Sequence, residues 1–243
     1  MLPQTLPRAR ILQYGYQSAW FGTEAIQTRT TNIAERFGIA VGRERKKCPE
    51  RPLIIIAQCF GGLVVLKAIL KANESFGRNH HHNSSNSGNL LSSLAGILFF
   101  GTPFRGARGM SQVELLAAAR EEYTDSEIYP EILQVLQPGN EYLQDLVDQF
   151  TRLRSTLPEL RDCRIACFFE LKASNVGRIV GGRERRDRME FVVDESSGCL
   201  DRSEGTEKYS RDCSHFDMNK FGDANEEDYL TVADVLMDFA RRN

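Results

Sequence analysis

The sequence predicts an α/β fold, a mostly parallel sheet flanked by helices, on three observations. Residues 53–57 form an unbroken apolar run, three of its first four side chains β-branched, with none of the alternation of a half-solvated strand. The run turns at a small-residue corner into helical spacing, with Leu63, Leu66, Lys67, Ile69 and Leu70 on one face. The same kind of apolar run recurs at residues 94–100 and 164–170, with helical segments between. The 243 residues, 41% hydrophobic and 26% charged, suffice for one domain, 1–243, that buries roughly 70% of its unfolded surface.

In chain order, residues 10–16 read as a strand ending at a glycine turn, and 23–37 as a helix with Ile26, Ile33 and Phe37 inward. The basic stretch 42–50 reads as a solvated turn. Residues 53–57 are expected to be a central strand buried on both faces, followed by a helix over 61–73. Residues 77–89, which include His80, His81 and His82, are too polar to pack; with no acidic or cysteine partner nearby, they read as a flexible low-complexity loop rather than a metal site. After the strand at 94–100, helices are expected at 112–124 and 140–154, separated by Pro130 and Pro138. The span 107–160 is either a cap over a site or a set of ordinary crossover helices. Strands are expected at 164–170 and 190–194. The last helix, from Glu226 to Arg242, carries Tyr229, Val232, Ala233, Leu236 and Phe239 on one face and charges suited to the helix dipole at its ends.

A formal charge of −2 and a pI near 6.1 give no electrostatic reason to expect nucleic acid or an anionic membrane as a partner. No apolar run approaches the ~20 residues of a membrane span, and residues 1–10 lack the apolar core of a signal peptide, so a soluble intracellular chain is expected. The six cysteines, at 48, 59, 163, 167, 199 and 213, are irregularly spaced. Cys163 and Cys167 would share a strand face, but no second pair completes a zinc site, and no metal or cofactor is expected.

The corner itself reads Ala57-Gln58-Cys59-Phe60-Gly61, a variant of the G-x-S-x-G nucleophile elbow with alanine for the first glycine and cysteine for serine. A side chain there stands above the carboxyl edge of the sheet beside the first N–H groups of a helix. This would lower the thiol pKa and leave the Phe60 N–H as an oxyanion donor. The competing reading is a free cysteine packed in the core. Outside residues 80–82, His215 is the one histidine in the sequence, so histidine-dependent chemistry has one provider.

Several segments together resemble a known family. They are Leu6-Pro7-Arg8-Ala9-Arg10-Ile11-Leu12 with Tyr14-Gly15-Tyr16, the elbow followed by Gly61-Gly62-Leu63-Val64-Val65, Gly101-Thr102-Pro103-Phe104-Arg105-Gly106, and His215-Phe216-Asp217-Met218-Asn219-Lys220-Phe221. In combination they are similar to the serine active site containing protein family and its fungal relatives. The resemblance implies an α/β-hydrolase fold and a lipase or esterase acting on a small-molecule or lipid ester. It also implies association with membranes, mitochondria or the endoplasmic reticulum. The order nucleophile, acid, histidine in such folds implies Cys59, then Glu170 or alternatively Asp194, then His215. Against the family pattern, a strand ending in a His-Gly loop, which supplies part of the oxyanion hole, has no counterpart here. The expectation is therefore a fold lacking its first strands and oxyanion loop, in a shortened or degenerate member. An inactive scaffold serving as an interaction or signalling module is the alternative to an enzyme.

Overall fold

The computed structural model describes residues 1–16, 26–78, 88–107, 137–176, 187–200 and 205–241. His80, His81 and His82, most of the low-complexity loop and the helix expected at 112–124 lie outside the described residues.

Among these residues the main sheet has four parallel strands in the order β1-β2-β3-β6: β1 Leu53–Gln58, β2 Leu94–Phe100, β3 Arg164–Glu170 and β6 Thr206–Arg211. A second, two-stranded antiparallel sheet pairs β4 Ser174–Asn175 with β5 Met189–Glu190. The helices are α1 Leu2–Thr5, α2 Ile26–Arg45, α3 Phe60–Arg78, α4 Gly88–Ser92, α5 Glu141–Thr156, α6 Pro158–Asp162, α7 Glu195–Gly198 and α8 Glu227–Arg241, with a 3-10 turn at His215–Asp217.

The period of two along each strand divides the interior into two cores. Ile55, Ala57, Ile97, Phe99, Ile165 and Cys167 face α2, α3 and α5, where they meet Phe37, Leu63, Leu66, Ile69, Leu143, Leu146 and Phe150. Leu98, Phe100, Ala166 and Phe168 face the other way, onto Val232, Val235, Leu236 and Phe239 of α8. Close approach is built in at two glycines. A Cβ on Gly96 would overlap the Phe239 ring, and one on Gly62 would overlap Thr102 and stand 2.9 Å from Phe99. The α8 helix thus lies flush on β2, and α3 seats against the loop after β2.

The strands at 53–58, 94–100 and 164–170 and the last helix form where the apolar patterns place them, and α5 covers the helix expected at 140–154. Within the 107–160 span, Leu143, Leu146 and Phe150 of α5 enter the main core. Four expectations differ. Residues 10–16 form no strand: Arg10 pairs with Glu44, Tyr14 packs edge-on against Phe37 at 5.0 Å, and Arg51 donates to the Arg8 carbonyl at 2.7 Å, so the segment lies along α2. β1 is an edge strand of the described sheet rather than its centre, and Ile56 on its α8-side face is 45% exposed. The helix expected at 23–37 continues to Arg45, through part of the stretch read as a turn, and the buried Arg45 donates to the carbonyls of Pro49 and Arg51. The strand expected at 190–194 reduces to β5, because the backbone beyond it is held by a side chain, the Val193 N–H donating to Glu170 at 2.8 Å.

Candidate active site

A row of backbone hydrogen bonds ties together the carboxyl ends of the four strands. Cys59 N–H donates to Phe100 O, Gly101 N–H to Phe168 O, and Leu171 N–H to Arg211 O, each at 2.9 Å. The residues at and just beyond these ends, Cys59, Gly101, Glu170 and the loop carrying His215, therefore stand along one edge at fixed intervals.

Cys59 follows β1 and opens α3. It is the one non-glycine residue with positive φ, 49°, among the described residues. That left-handed conformation costs a β-carbon-bearing residue on the order of 1–3 kcal/mol and is concentrated at functional sites. The turn is closed by Gly62 N–H donating to Cys59 O at 3.1 Å. The thiol is partly buried and forms no disulfide. The helix N-terminus does not lower its pKa as the sequence led us to expect. Burial pushes it up to about 11, the Phe60 N–H opposes this by donating to the sulfur, and the charge of Glu170 adds to the rise. Loss of hydration outweighs the one main-chain donor.

Glu170 ends β3 with its side chain out of solvent. Oε1 accepts the Val193 N–H, and the backbone N–H groups of Val192 and His215 also favour the charged form. Burial prevails and raises the pKa to about 7, with a further push from Asp194. Asp194, the alternative acid, is committed elsewhere: it caps α7, accepting from Ser197 N–H at 2.9 Å and Ser196 Oγ at 2.7 Å. The α7 turn in turn holds the Gly-Thr-Pro loop, through Phe104 N–H donating to Ser197 O and Ser197 Oγ to Gly106 O.

His215 lies in the 3-10 turn after β6, 5% exposed, and burial lowers its pKa to about 4. Its Nδ1 faces Glu170 Oε2 at 3.8 Å, and among the described residues neither atom has a hydrogen-bond partner. The ring rests on Gly101, φ 53°, where a Cβ would come within 3.0 Å of Cε1 and 3.1 Å of Nδ1. The imidazole is therefore carried back from β6 across β3 to the end of β2. It stands between the ends of β1 and β3, which at a strand spacing of about 4.8 Å are roughly 10 Å apart. Sequence reasoning missed the clamp that holds this loop. Buried Arg211, at the end of β6, donates to the carbonyls of Asp217, Met218 and Lys220, pairs with Asp228 at 3.3 Å and lies 4.1 Å over the Phe221 ring.

No protein-family model matches the chain, and no curated protein matches it. Among solved structures, the mature form of the lipase BlEst2 of Bacillus licheniformis aligns with a TM-score of 0.50 at 15% identity, over 92% of this chain and 86% of that one. Together with the parallel sheet between helices, this gives the class: the chain has an α/β-hydrolase fold. Among the described residues no helix is long and apolar enough to cross a membrane.

Proposed function

We propose that the chain is a carboxylic ester hydrolase that works through a covalent acyl-enzyme, with Cys59 as nucleophile, His215 as base and Glu170 as the acid that orients it. The observation that carries this is the left-handed Cys59 at the strand-to-helix corner, on the same sheet edge as the facing Glu170 and His215 side chains. Asp194, occupied as a helix cap, serves the scaffold in this scheme. In the first step His215 Nε2 takes the thiol proton as sulfur attacks the carbonyl carbon. The imidazolium that forms is stabilised by Glu170 and returns its proton to the departing alkoxide. Water then repeats the sequence on the thioester. The likeness to a lipase and the resemblance to the serine active site containing protein family support a small-molecule or lipid acyl ester as substrate.

The experiment is intact-mass spectrometry after brief exposure to an activated short-chain ester, on wild type, Cys59→Ala and His215→Ala, each verified as folded by circular dichroism. An acyl adduct on wild-type Cys59 alone is the expected result. A second reading, an inactive scaffold that serves as an interaction or signalling module, is favoured by one electrostatic observation. With burial pushing the thiol up to about 11 and the imidazole down to about 4, the neutral pair is the resting state, and moving the proton between them is uphill. Folded wild-type protein that forms no adduct at any pH up to about 9 would overturn the hydrolase reading and leave the scaffold reading in its place.

A further inference from the structure

Among the described residues, the main-chain donor that the candidate site offers a developing oxyanion is the Phe60 N–H. The N-terminal segment brings a second polar group to the same turn. Anchored on α2 by the Arg10–Glu44 pair and by Tyr14 against Phe37, it delivers the partly buried Tyr16 to the elbow. There the phenol oxygen stands 3.8 Å from the position that a Cβ on Gly61 would occupy. Gly61 is two residues beyond the nucleophile, and its bare Cα leaves the hydroxyl room over the first turn of α3. A carbonyl attacked by Cys59 within reach of the Phe60 N–H develops its negative charge beside that turn. We propose that the Tyr16 hydroxyl is the second donor of the oxyanion hole, a catalytic residue contributed by the segment before α2.

The role rests on the acyl-transfer reading above. In that step the carbon–sulfur bond forms, the carbonyl π pair moves onto oxygen, and Phe60 N–H and Tyr16 O–H each donate a hydrogen bond to it. When the pair returns, the bond to the alkoxide breaks and the alkoxide takes the proton held by His215. Tyr16 transfers no proton. Its phenol stays a donor throughout, since burial, then the neighbouring Cys59 and Tyr14, push its pKa up to about 12.

The test compares two reactions of Cys59, followed by mass spectrometry with the modified peptide identified, in wild type, Tyr16→Phe and Tyr14→Phe. Acylation by an activated ester passes through an oxyanion; alkylation by iodoacetamide, a displacement at saturated carbon, does not. Tyr16→Phe keeps the ring and removes the hydroxyl. It is expected to lower the maximal acylation rate by about 10²- to 10³-fold, with little change in the half-saturating ester concentration and none in alkylation. Tyr14→Phe should match wild type in both. If Tyr16→Phe acylates within a few fold of wild type, or loses acylation and alkylation in parallel, the proposal is overturned and the ester-hydrolase reading stands. Wild type that alkylates but never acylates overturns both. Should Tyr16→Phe not fold, 3-fluorotyrosine at position 16 keeps the shape and acidifies the donor. A changed acylation rate with unchanged alkylation then supports the role, and no change in either refutes it.

Discussion

Replacing Glu170 by glutamine should expose two opposed titrations that nearly cancel in the native protein. The Glu170 pKa rises from 4.5 unfolded to about 7 folded, so the native state binds the extra proton in between. Its contribution to stability is complete below pH 4.5 and is lost as pH climbs through 7. A gap of this size corresponds to about 3 kcal/mol for a side chain this deeply buried. His215 runs the other way. Its pKa falls from 6.5 to about 4, the unfolded state is the one that binds the proton, and stability is gained as pH rises from 4 to 6.5, again by about 3 kcal/mol. Burial is the sole cause of the histidine shift, so this contribution should survive removal of the carboxylate. Urea unfolding of wild type and Glu170→Gln across pH 4 to 8, with m-values checked for constancy, reads the difference directly. The variant should gain about 3 kcal/mol on wild type between pH 4.5 and 7.5, and His215→Asn should lose by a similar amount between pH 4 and 6.5. A Glu170→Gln difference that does not move with pH would mean the carboxylate remains ionised on its backbone N–H donors, and the desolvation argument would fail.

Other substitutions test the geometry. Gly62→Ala drives a methyl into Thr102 and Phe99 and should cost roughly 3 kcal/mol by thermal or urea unfolding, whereas the half-buried Gly38, where a Cβ would have no neighbour within 4 Å, should tolerate alanine. Cys59→Gly should relieve the left-handed strain and stabilise the fold by about 1 kcal/mol, and Cys59→Val should destabilise it by more. Arg211→Met removes the clamp on the His215 loop; a loss of about 3 kcal/mol in unfolding free energy is expected, with faster amide exchange at residues 215–220. In acylation assays the rate should rise with pH to a midpoint near 7 as Glu170 ionises, and that limb should vanish in Glu170→Gln.

The interior of the sheet was legible because a strand buried on both faces must be continuously apolar, as residues 94–100 and 164–170 are; residues 53–57 carry the same run although their strand lies at the edge of the described sheet. β6 was missed for the converse reason. It lies at the sheet edge, and Thr-Glu-Lys-Tyr-Ser-Arg offers no apolar run. Residues 10–16 carry strand-like composition, but Tyr14 and Arg10 find their partners on α2, and composition does not say which partner a side chain will meet. Around the elbow, spacing marked Cys59, and scarcity of histidine marked His215. The direction of the thiol pKa was not legible, since sequence displays the helix N-terminus and hides the depth of burial that outweighs it. Tyr16 and Arg211 reach the site through the fold, from an irregular segment and from the end of an edge strand, and nothing in their immediate neighbours announces it.

The row of backbone bonds along the carboxyl edge makes strand register the quantity that sets the distances between these side chains. Phe100 is paired with Phe168, and Phe169 with Ser210; a slip of β3 by one residue on its neighbours would carry Glu170 about 3.3 Å along the sheet and turn it to the opposite face. The described part of the connection between β3 and β6 adds to this hold, through Val193 N–H on Glu170 and the α7 turn on the Gly-Thr-Pro loop.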